Sequence, residues 1–172
     1  MSFTVEDGTG LAAANSYLAT AAADVYWGDR DNTDWAAAST MTKEAALIAG
    51  TQLLDASYSW RGRKGSAGQA LDWPRSGVVD GEGYAVSGAS LPAALTAATA
   101  ELALEALAER LLPGLERGGA LKREMVKVDV IEEEREYFAG APGSRSFPMV
   151  DRLLAGLITG RVGGAGAKLR RA

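Results

Sequence analysis

The residues best suited to chemistry in this chain lie at positions 58–75, a segment called the elbow below. It contains two tryptophans, Trp60 and Trp73, and a group of cations beside them: Arg61, Arg63, Lys64 and Arg75. Aromatic rings next to cations are typical of platforms for single-stranded nucleic acid, because bases stack on the rings and phosphates attract the cations. One interpretation of the elbow is therefore a binding surface for single-stranded DNA.

The other interpretation of the elbow is structural. Each tryptophan can bury roughly 150–250 Å² of surface, and the elbow lies between the two strongest predicted helices. Arginine stems often pack over apolar surface while their charged ends stay in water. We therefore expect Trp60 and Trp73 to fill the gap between helices, with Arg61, Pro74 and Arg75 completing a structural elbow. This packing interpretation is favoured, and the stacking platform remains the alternative.

No catalytic or metal-binding pattern is visible. The chain has 172 residues and contains neither cysteine nor histidine, which excludes disulfides, thiol catalysis and Cys/His zinc sites. The consecutive carboxylates at 132–136 are typical of a solvated face, and the glycine-rich stretches lack phosphate-loop spacing. No run approaches the ~18 apolar residues of a membrane span. We expect no enzyme activity, no cofactor, no metal and no membrane partner.

Apolar periodicity predicts the helices that would position the elbow. A short Ala-rich helix is expected at 21–28, and a stronger one from about 41 to 57, capped by Thr40 or Thr42. The longest helix begins near the Ser-Leu-Pro sequence at 90–92 and stops before Pro113. Together these helices predict a small helical bundle core at 1–120.

The remainder of the chain predicts extensions of this core. Valines that alternate with polar residues predict a strand or hairpin within an extended β arm at 121–146. An apolar stripe at helical spacing predicts a short amphipathic helix at 147–160, ending at Gly160. The expected fold is therefore mainly α, one domain with a short β-hairpin or extended arm and a flexible C-terminal tail.

The tail at 161–172 is basic and contains three glycines, which favour flexibility. Because it carries +4 and the whole chain carries −4, residues 1–160 carry −8. The tail is either a solubilising terminus or a tether that orders on an acidic partner, protein or nucleic acid. On the second interpretation its partner-binding residues are Arg161, Lys168, Leu169, Arg170 and Arg171.

Several short motifs together resemble a family of phage and prophage proteins. They are VEDGTG at 5–10, ANSY at 14–17, KEAAL at 43–47, YSWRG at 58–62, QALDWPR at 69–75, LP at 91–92 and ELA at 101–103. Members are often labelled DnaT-like single-stranded DNA-binding proteins, and they resemble the head–tail connector (adaptor, head-completion) proteins of tailed phages. The resemblance spans about residues 3–160.

The resemblance implies a structural virion protein that links the DNA-filled capsid to the tail. It implies a homo-oligomeric ring, typically a dodecamer, that docks on the portal protein and carries a tail-side connector or stopper protein. DNA would pass through the lumen without sequence-specific binding, and the protein would be found in the virion and, during assembly, in the host cytoplasm. Portal docking by the tail cations is an inference from their charge. The alternative is a single-stranded DNA-binding replication protein, which the acidic net charge disfavours.

Overall fold

The computed structural model describes residues 2–109, 111, 123–128, 131–136 and 147–162. Its helices are α1 (Thr20–Gly28), α2 (Thr33–Ala37), α3 (Thr40–Ser57), α4 (Ala93–Ala108) and α5 (Pro148–Leu154). Its strands are β1 (Tyr58–Trp60), β2 (Arg63–Lys64), β3 (Arg75–Ser76), β4 (Arg123–Val128), β5 (Ile131–Glu136) and β6 (Ile158–Arg161). The described part of the chain is a small, mainly helical fold, as predicted. None of its helices is long and apolar enough to span a membrane.

Helices α3 and α4 form the centre of the core. Their side chains Leu47, Leu54, Leu95 and Leu102 are fully buried. The two backbones approach closely at Gly50, where a Cβ atom would lie 3.2 Å from the Cβ of Leu102. Because α3 runs directly into β1, the packing of α3 on α4 fixes the point from which the elbow begins.

The strands form three separate two-stranded antiparallel pairs, β1 with β6, β2 with β3, and β4 with β5. The first two pairs frame the elbow, since β1, β2 and β3 all lie within or beside it. The third pair, β4 with β5, runs from Arg123 opposite Glu136 to Val128 opposite Ile131. It lies in the segment where the alternating valines predict a strand or hairpin.

The helix predicted at 147–160 is shorter than expected. Helix α5 ends at Leu154, and Ile158–Arg161 is strand β6. Two features oppose a longer helix: Gly156 and Gly160 lower helix propensity, and the β-branched pair Ile158 and Thr159 suits a strand. Pairing with β1 then decides the conformation, and this long-range contact outweighs the local apolar stripe.

The chain divides into two compact units, Met1–Leu111 with Phe147–Ala172, and Leu112–Ser146. The division predicted from the sequence, with boundaries at 120, 146 and 160, stays a prediction. Residues 163–172 of the predicted tail lie outside the described residues.

Helix α3 is capped by Ser39, and by neither of the two predicted residues, Thr40 and Thr42. Ser39 is extended, and its Oγ accepts a hydrogen bond from the Thr42 N–H at 3.2 Å. Replacing Ser39 with alanine leaves that N–H without its cap, so we expect the free energy of unfolding to fall by about 1 kcal/mol in urea titrations. Ser39→Asp keeps an acceptor and should remain close to the parent. An equal loss in both variants would contradict the capping role.

Candidate nucleic-acid interface

All four tryptophans of the chain are buried. Trp27, Trp35, Trp60 and Trp73 have exposed fractions of 5%, 1%, 7% and 0%. The rings of Trp60 and Trp73 meet edge to face with their centroids 5.9 Å apart, and Pro74, joined to Trp73 by a cis peptide bond, is also buried. A ring can stack on a base only where its face is open to solvent. The structure therefore leaves neither Trp60 nor Trp73 free to act as a stacking platform.

Arg75 ties the two ends of the elbow together. Its Nε donates to the carbonyl of Arg61 at 2.7 Å, its Nη2 to the carbonyl of Gly62 at 3.0 Å and its Nη1 to the carbonyl of Asp72 at 3.1 Å. The planar, fixed arrangement of guanidinium donors suits such a clamp on backbone oxygens. Since all three nitrogens of Arg75 bind backbone, its first role is structural.

A polar network that the sequence analysis did not predict fixes the elbow to α3. The Asp55 carboxylate accepts hydrogen bonds from the Tyr17 hydroxyl at 2.5 Å and from the Asp72 N–H at 3.1 Å. The Tyr17 hydroxyl in turn accepts from the Trp73 N–H at 3.1 Å. Burial raises the pKa of Asp55 to about 6, although both of its hydrogen bonds favour the charged form. Burial also raises the pKa of Tyr17.

The exposed part of the elbow is the segment 61–68, called the basic loop below. Every residue in it is exposed. Gly62 gives the loop its sharp start, because its φ is +68° and a Cβ there would collide with the carbonyl oxygen of Ser76. The cations of the basic loop are Arg61, Arg63 and Lys64.

These cations keep much of their binding capacity. Arg61 donates from Nε to the carbonyl of Ile158 at 3.1 Å, and Arg63 from Nε to the Ser76 hydroxyl at 3.3 Å. Lys64 lies 3.1 Å from the Asp72 carboxylate. Within the described part of the chain these contacts engage only the Nε of each guanidinium. Both Nη groups of each arginine therefore remain for a ligand, and paired Nη donors match the oxygens of a phosphate.

The elbow differs in charge from the segment that precedes it. Residues 58–76 contain four cations and one carboxylate, a net charge of +3, whereas residues 1–57 carry a net charge of −6. Exposed charges are screened over a Debye length of about 8–10 Å at ordinary salt. A polyanion close to the basic loop therefore responds to the local +3 more than to the net −4 of the whole chain.

Strand β6 brings the start of the predicted tail to the elbow. Arg161 lies opposite Tyr58 in the β1–β6 register, with its guanidinium 5.5 Å from the centre of the Tyr58 ring. The Asp151 carboxylate accepts from the Tyr58 hydroxyl at 2.6 Å and lies 3.4 Å from Nη1 of Arg161. The remaining predicted tail contacts lie outside the described residues: Lys168, Leu169, Arg170 and Arg171.

A groove of about 560 Å³ lies between α2 and the C-terminal half of α4. Its lining is mostly small and apolar and consists of Asp34, Ala37, Ala38, Thr42, Leu104, Glu105, Leu107 and Ala108. Because this lining contains no cation, the groove offers nothing to a phosphate. Among the residues that the structure describes, no cluster of three or more His, Cys, Asp or Glu side chains could hold a metal ion. The basic loop is thus the best candidate site.

A family model described as "Putative DnaT-like ssDNA binding protein" matches residues 1–172. Because the match covers the full chain, the chain belongs to this family. Searches of curated proteins and of solved structures found no match.

The family match corrects the main functional prediction. It names single-stranded DNA binding, and nothing in it supports a head–tail connector of a virion. The connector identity is therefore wrong, together with the portal protein, the tail-side connector or stopper protein and the twelve-copy ring predicted as partners. The ring and its partners were predicted from the resemblance, and portal docking by the tail was inferred from its charge. A basic tail, however, also suits a DNA-binding protein. The DnaT-like label carried by the same resemblance agrees with the family match.

Proposed function

We propose that the chain is a non-catalytic protein that binds single-stranded DNA through the basic loop. The observation that carries the proposal is this loop: an unbroken exposed segment with three cations, in a chain whose family is described by single-stranded DNA binding. The loop's position supports the proposal, because Arg75 and the network around Asp55 hold both of its ends against the core. A loop anchored in this way loses little conformational entropy when it binds.

The contacts are mainly to phosphate. Arg61 and Arg63 each offer a pair of Nη donors, and Lys64 adds a point charge. Phosphate contacts carry no sequence information, so affinity should vary little among oligonucleotides of equal length. Three such contacts to a single strand give a slope of about −2 for the logarithm of the binding constant against the logarithm of salt concentration.

Removing two cations from the basic loop should weaken this binding. We expect the double variant Arg63→Ala, Lys64→Ala to raise the Kd for a labelled oligothymidine of ~20 nucleotides about tenfold at ~50 mM salt, and to reduce the salt slope by about 1. The reason is the loss of two phosphate contacts without a change in the buried part of the elbow. Fluorescence anisotropy at several salt concentrations measures both quantities.

Arg30→Ala is the matched control. Arg30 is exposed and, like Arg63, makes one described hydrogen bond, from Nη1 to the carbonyl of Tyr26 at 2.8 Å, but it belongs to the acidic segment that contains Asp29, Asp31 and Asp34. The Kd of the Arg30→Ala variant for the oligothymidine should equal that of the parent protein. Either of two results would contradict the proposal: equal weakening of binding by Arg30→Ala, or no binding of the parent at ~50 mM salt. Tryptophan fluorescence should change little on binding, because all four rings are buried.

A further inference from the structure

We infer that Tyr84 is a base-stacking residue of the same DNA site, so that phosphates contact the basic loop while a base lies against the Tyr84 ring. The inference rests on the proposed function and deepens it, because it adds a contact to a base. Its basis is the exposure of Tyr84 and the place of this residue in a hairpin beside the basic loop. The hairpin spans residues 78–86 and is called the tyrosine hairpin below.

Tyr84 differs in exposure from every other aromatic residue that the structure describes. Its exposed fraction is 73%, whereas the other described aromatic side chains are buried or half-buried. Its side chain makes no hydrogen bond and no ring contact with any described residue. A ring can stack on a base where its face is open to solvent. Tyr84 therefore meets the requirement that the tryptophans of the elbow fail.

Hydrogen bonds fix the backbone of the tyrosine hairpin. The Val86 N–H donates to the carbonyl of Val78 at 2.9 Å, and the Asp80 N–H donates to the carbonyl of Tyr84 at 2.9 Å. The Asp80 carboxylate accepts in turn from the Tyr84 N–H at 2.9 Å. The base of the hairpin lies against the basic loop, since a Cβ atom on Gly62 would lie 2.7 Å from Cγ2 of Val78. The backbone of Tyr84 is thus held in place while its ring, which has few rotatable bonds, stays free to bind.

The tip of the tyrosine hairpin packs on the segment that also holds Arg61. A Cβ atom on Gly156 would lie 3.9 Å from Cα of Asp80. The next residue, Leu157, accepts a hydrogen bond from the Arg61 N–H at 2.9 Å. Since Asp80 faces Tyr84 across the hairpin, the backbones of Arg61 and Tyr84 lie within roughly 20 Å of each other. About six stacked nucleotides, at ~3.4 Å each, cover this distance, so one strand can contact both residues.

The charges of the tyrosine hairpin favour a base over a phosphate at Tyr84. Asp80 and Glu82 lie at its tip and repel phosphates, whereas a base carries no charge. The phosphates of a bound strand therefore lie on the cations of the basic loop, and a base is left for the ring. This contact supplies a preference that phosphate contacts lack, because the bases of a duplex are already stacked and must be flipped out to reach a ring.

Replacing Tyr84 with alanine tests the inference. For the labelled oligothymidine of ~20 nucleotides at ~50 mM salt we expect a Kd about tenfold higher than that of the parent, as for the loss of one stacked base. The salt slope should not change, because no phosphate contact is lost. For an abasic oligonucleotide of the same length, which offers phosphates but no bases, the variant and the parent should have equal Kd values. Tyr84→Phe keeps the ring and should bind like the parent.

Val25→Ala is the matched control. Val25 is also an exposed apolar side chain, with an exposed fraction of 64%, but it lies in α1, within the acidic segment that precedes the elbow. The Kd of the Val25→Ala variant for the oligothymidine should equal that of the parent protein. Sedimentation of the parent and of Tyr84→Ala without DNA shows whether the Tyr84 ring instead contacts another protein chain.

The outcomes separate this inference from the proposed function. If Tyr84→Ala binds the oligothymidine like the parent while Arg63→Ala, Lys64→Ala weakens binding, the inference fails and the proposed function stands. If neither variant changes binding, both fail. Equal weakening for the abasic and the normal oligonucleotide would overturn the inference, because the ring would then not contact a base. So would a loss of affinity in Tyr84→Phe equal to that in Tyr84→Ala, or a change in sedimentation without a change in Kd.

Discussion

Replacing Trp73 with alanine should lower the free energy of unfolding by about 3–5 kcal/mol, the usual cost of truncating a buried aromatic side chain. Trp73 has no exposed surface, and its ring packs edge to face on Trp60 within the larger hydrophobic cluster. Alanine would leave a cavity within this cluster, whose members include Leu54, Leu95 and Leu102. Urea titration followed by circular dichroism measures the loss.

Two further variants make the Trp73 result specific. The indole Nε1 of Trp73 has no hydrogen-bond partner in the described structure, so Trp73→Phe loses ring area but no polar contact and should cost clearly less than alanine. Tyr84 is 73% exposed, and Tyr84→Ala should stay within about 0.5 kcal/mol of the parent. A cost below about 1 kcal/mol for Trp73→Ala would contradict the packing role.

Trp73→Leu separates packing from DNA binding. Under the proposed function the tryptophan ring does not touch the strand, so the folded fraction of the Trp73→Leu variant should bind oligothymidine with the Kd of the parent. A platform that stacks bases on Trp73 predicts weaker binding, because leucine removes the ring and base–aromatic stacking contributes about 1–3 kcal/mol per base.

Local patterns predicted the helices well and the strands at the elbow poorly. Helix α3 at Thr40–Ser57 follows closely from its apolar spacing. Strand β6 does not follow from local spacing. Val150, Leu154 and Leu157 form an apolar stripe that favours a helix, and a strand is more stable at 158–161 only because it pairs with the distant β1. For the same reason the sequence could not show that Arg161 lies beside the elbow.

The sequence showed which cations belong to the candidate site but not which of them are free to bind a ligand. The cations of the elbow are evident in the sequence, yet only the structure shows that Arg75 is bound to three backbone carbonyls whereas Arg61 and Arg63 face solvent. The network at Asp55 did leave a sequence signal. Residues 51, 54, 55 and 58 share one helical stripe, so a carboxylate at position 55 falls among buried side chains and needs polar partners.

The stability of the fold should depend on the protonation of Asp55, with a sign opposite to that of an ordinary carboxylate. Burial raises the pKa of Asp55 to about 6 in the folded protein, from an ordinary value of 3.8. Between these values the folded protein holds a proton that the unfolded chain releases. The contribution of Asp55 to stability is therefore largest below pH ~4 and is lost as the pH rises to ~6. The loss is on the order of 2–3 kcal/mol, at about 1.4 kcal/mol for each unit of pKa shift.

The difference between the parent and Asp55→Asn isolates this contribution. Since the variant cannot titrate at position 55, the free energy of unfolding of the parent minus that of the variant should fall by about 2–3 kcal/mol between pH ~4 and pH ~7 in urea titrations. The charged groups facing Asp55 are Asp72, which raises its pKa, and Lys64, which lowers it. Both are retained in the variant.

Asp7→Asn is a control for which the pH dependence of the free energy of unfolding should have the opposite sign. Asp7 is exposed, and hydrogen bonds from the side chain and backbone of Thr9 hold its pKa below the ordinary value, so its contribution to stability grows as the pH rises. If the parent-minus-variant difference stays flat for Asp55→Asn, or rises with pH as for Asp7→Asn, folding does not raise the pKa of Asp55. The elbow would then be held by the Tyr17 and Asp72 hydrogen bonds to a carboxylate of ordinary acidity, and its anchoring would not weaken toward neutral pH.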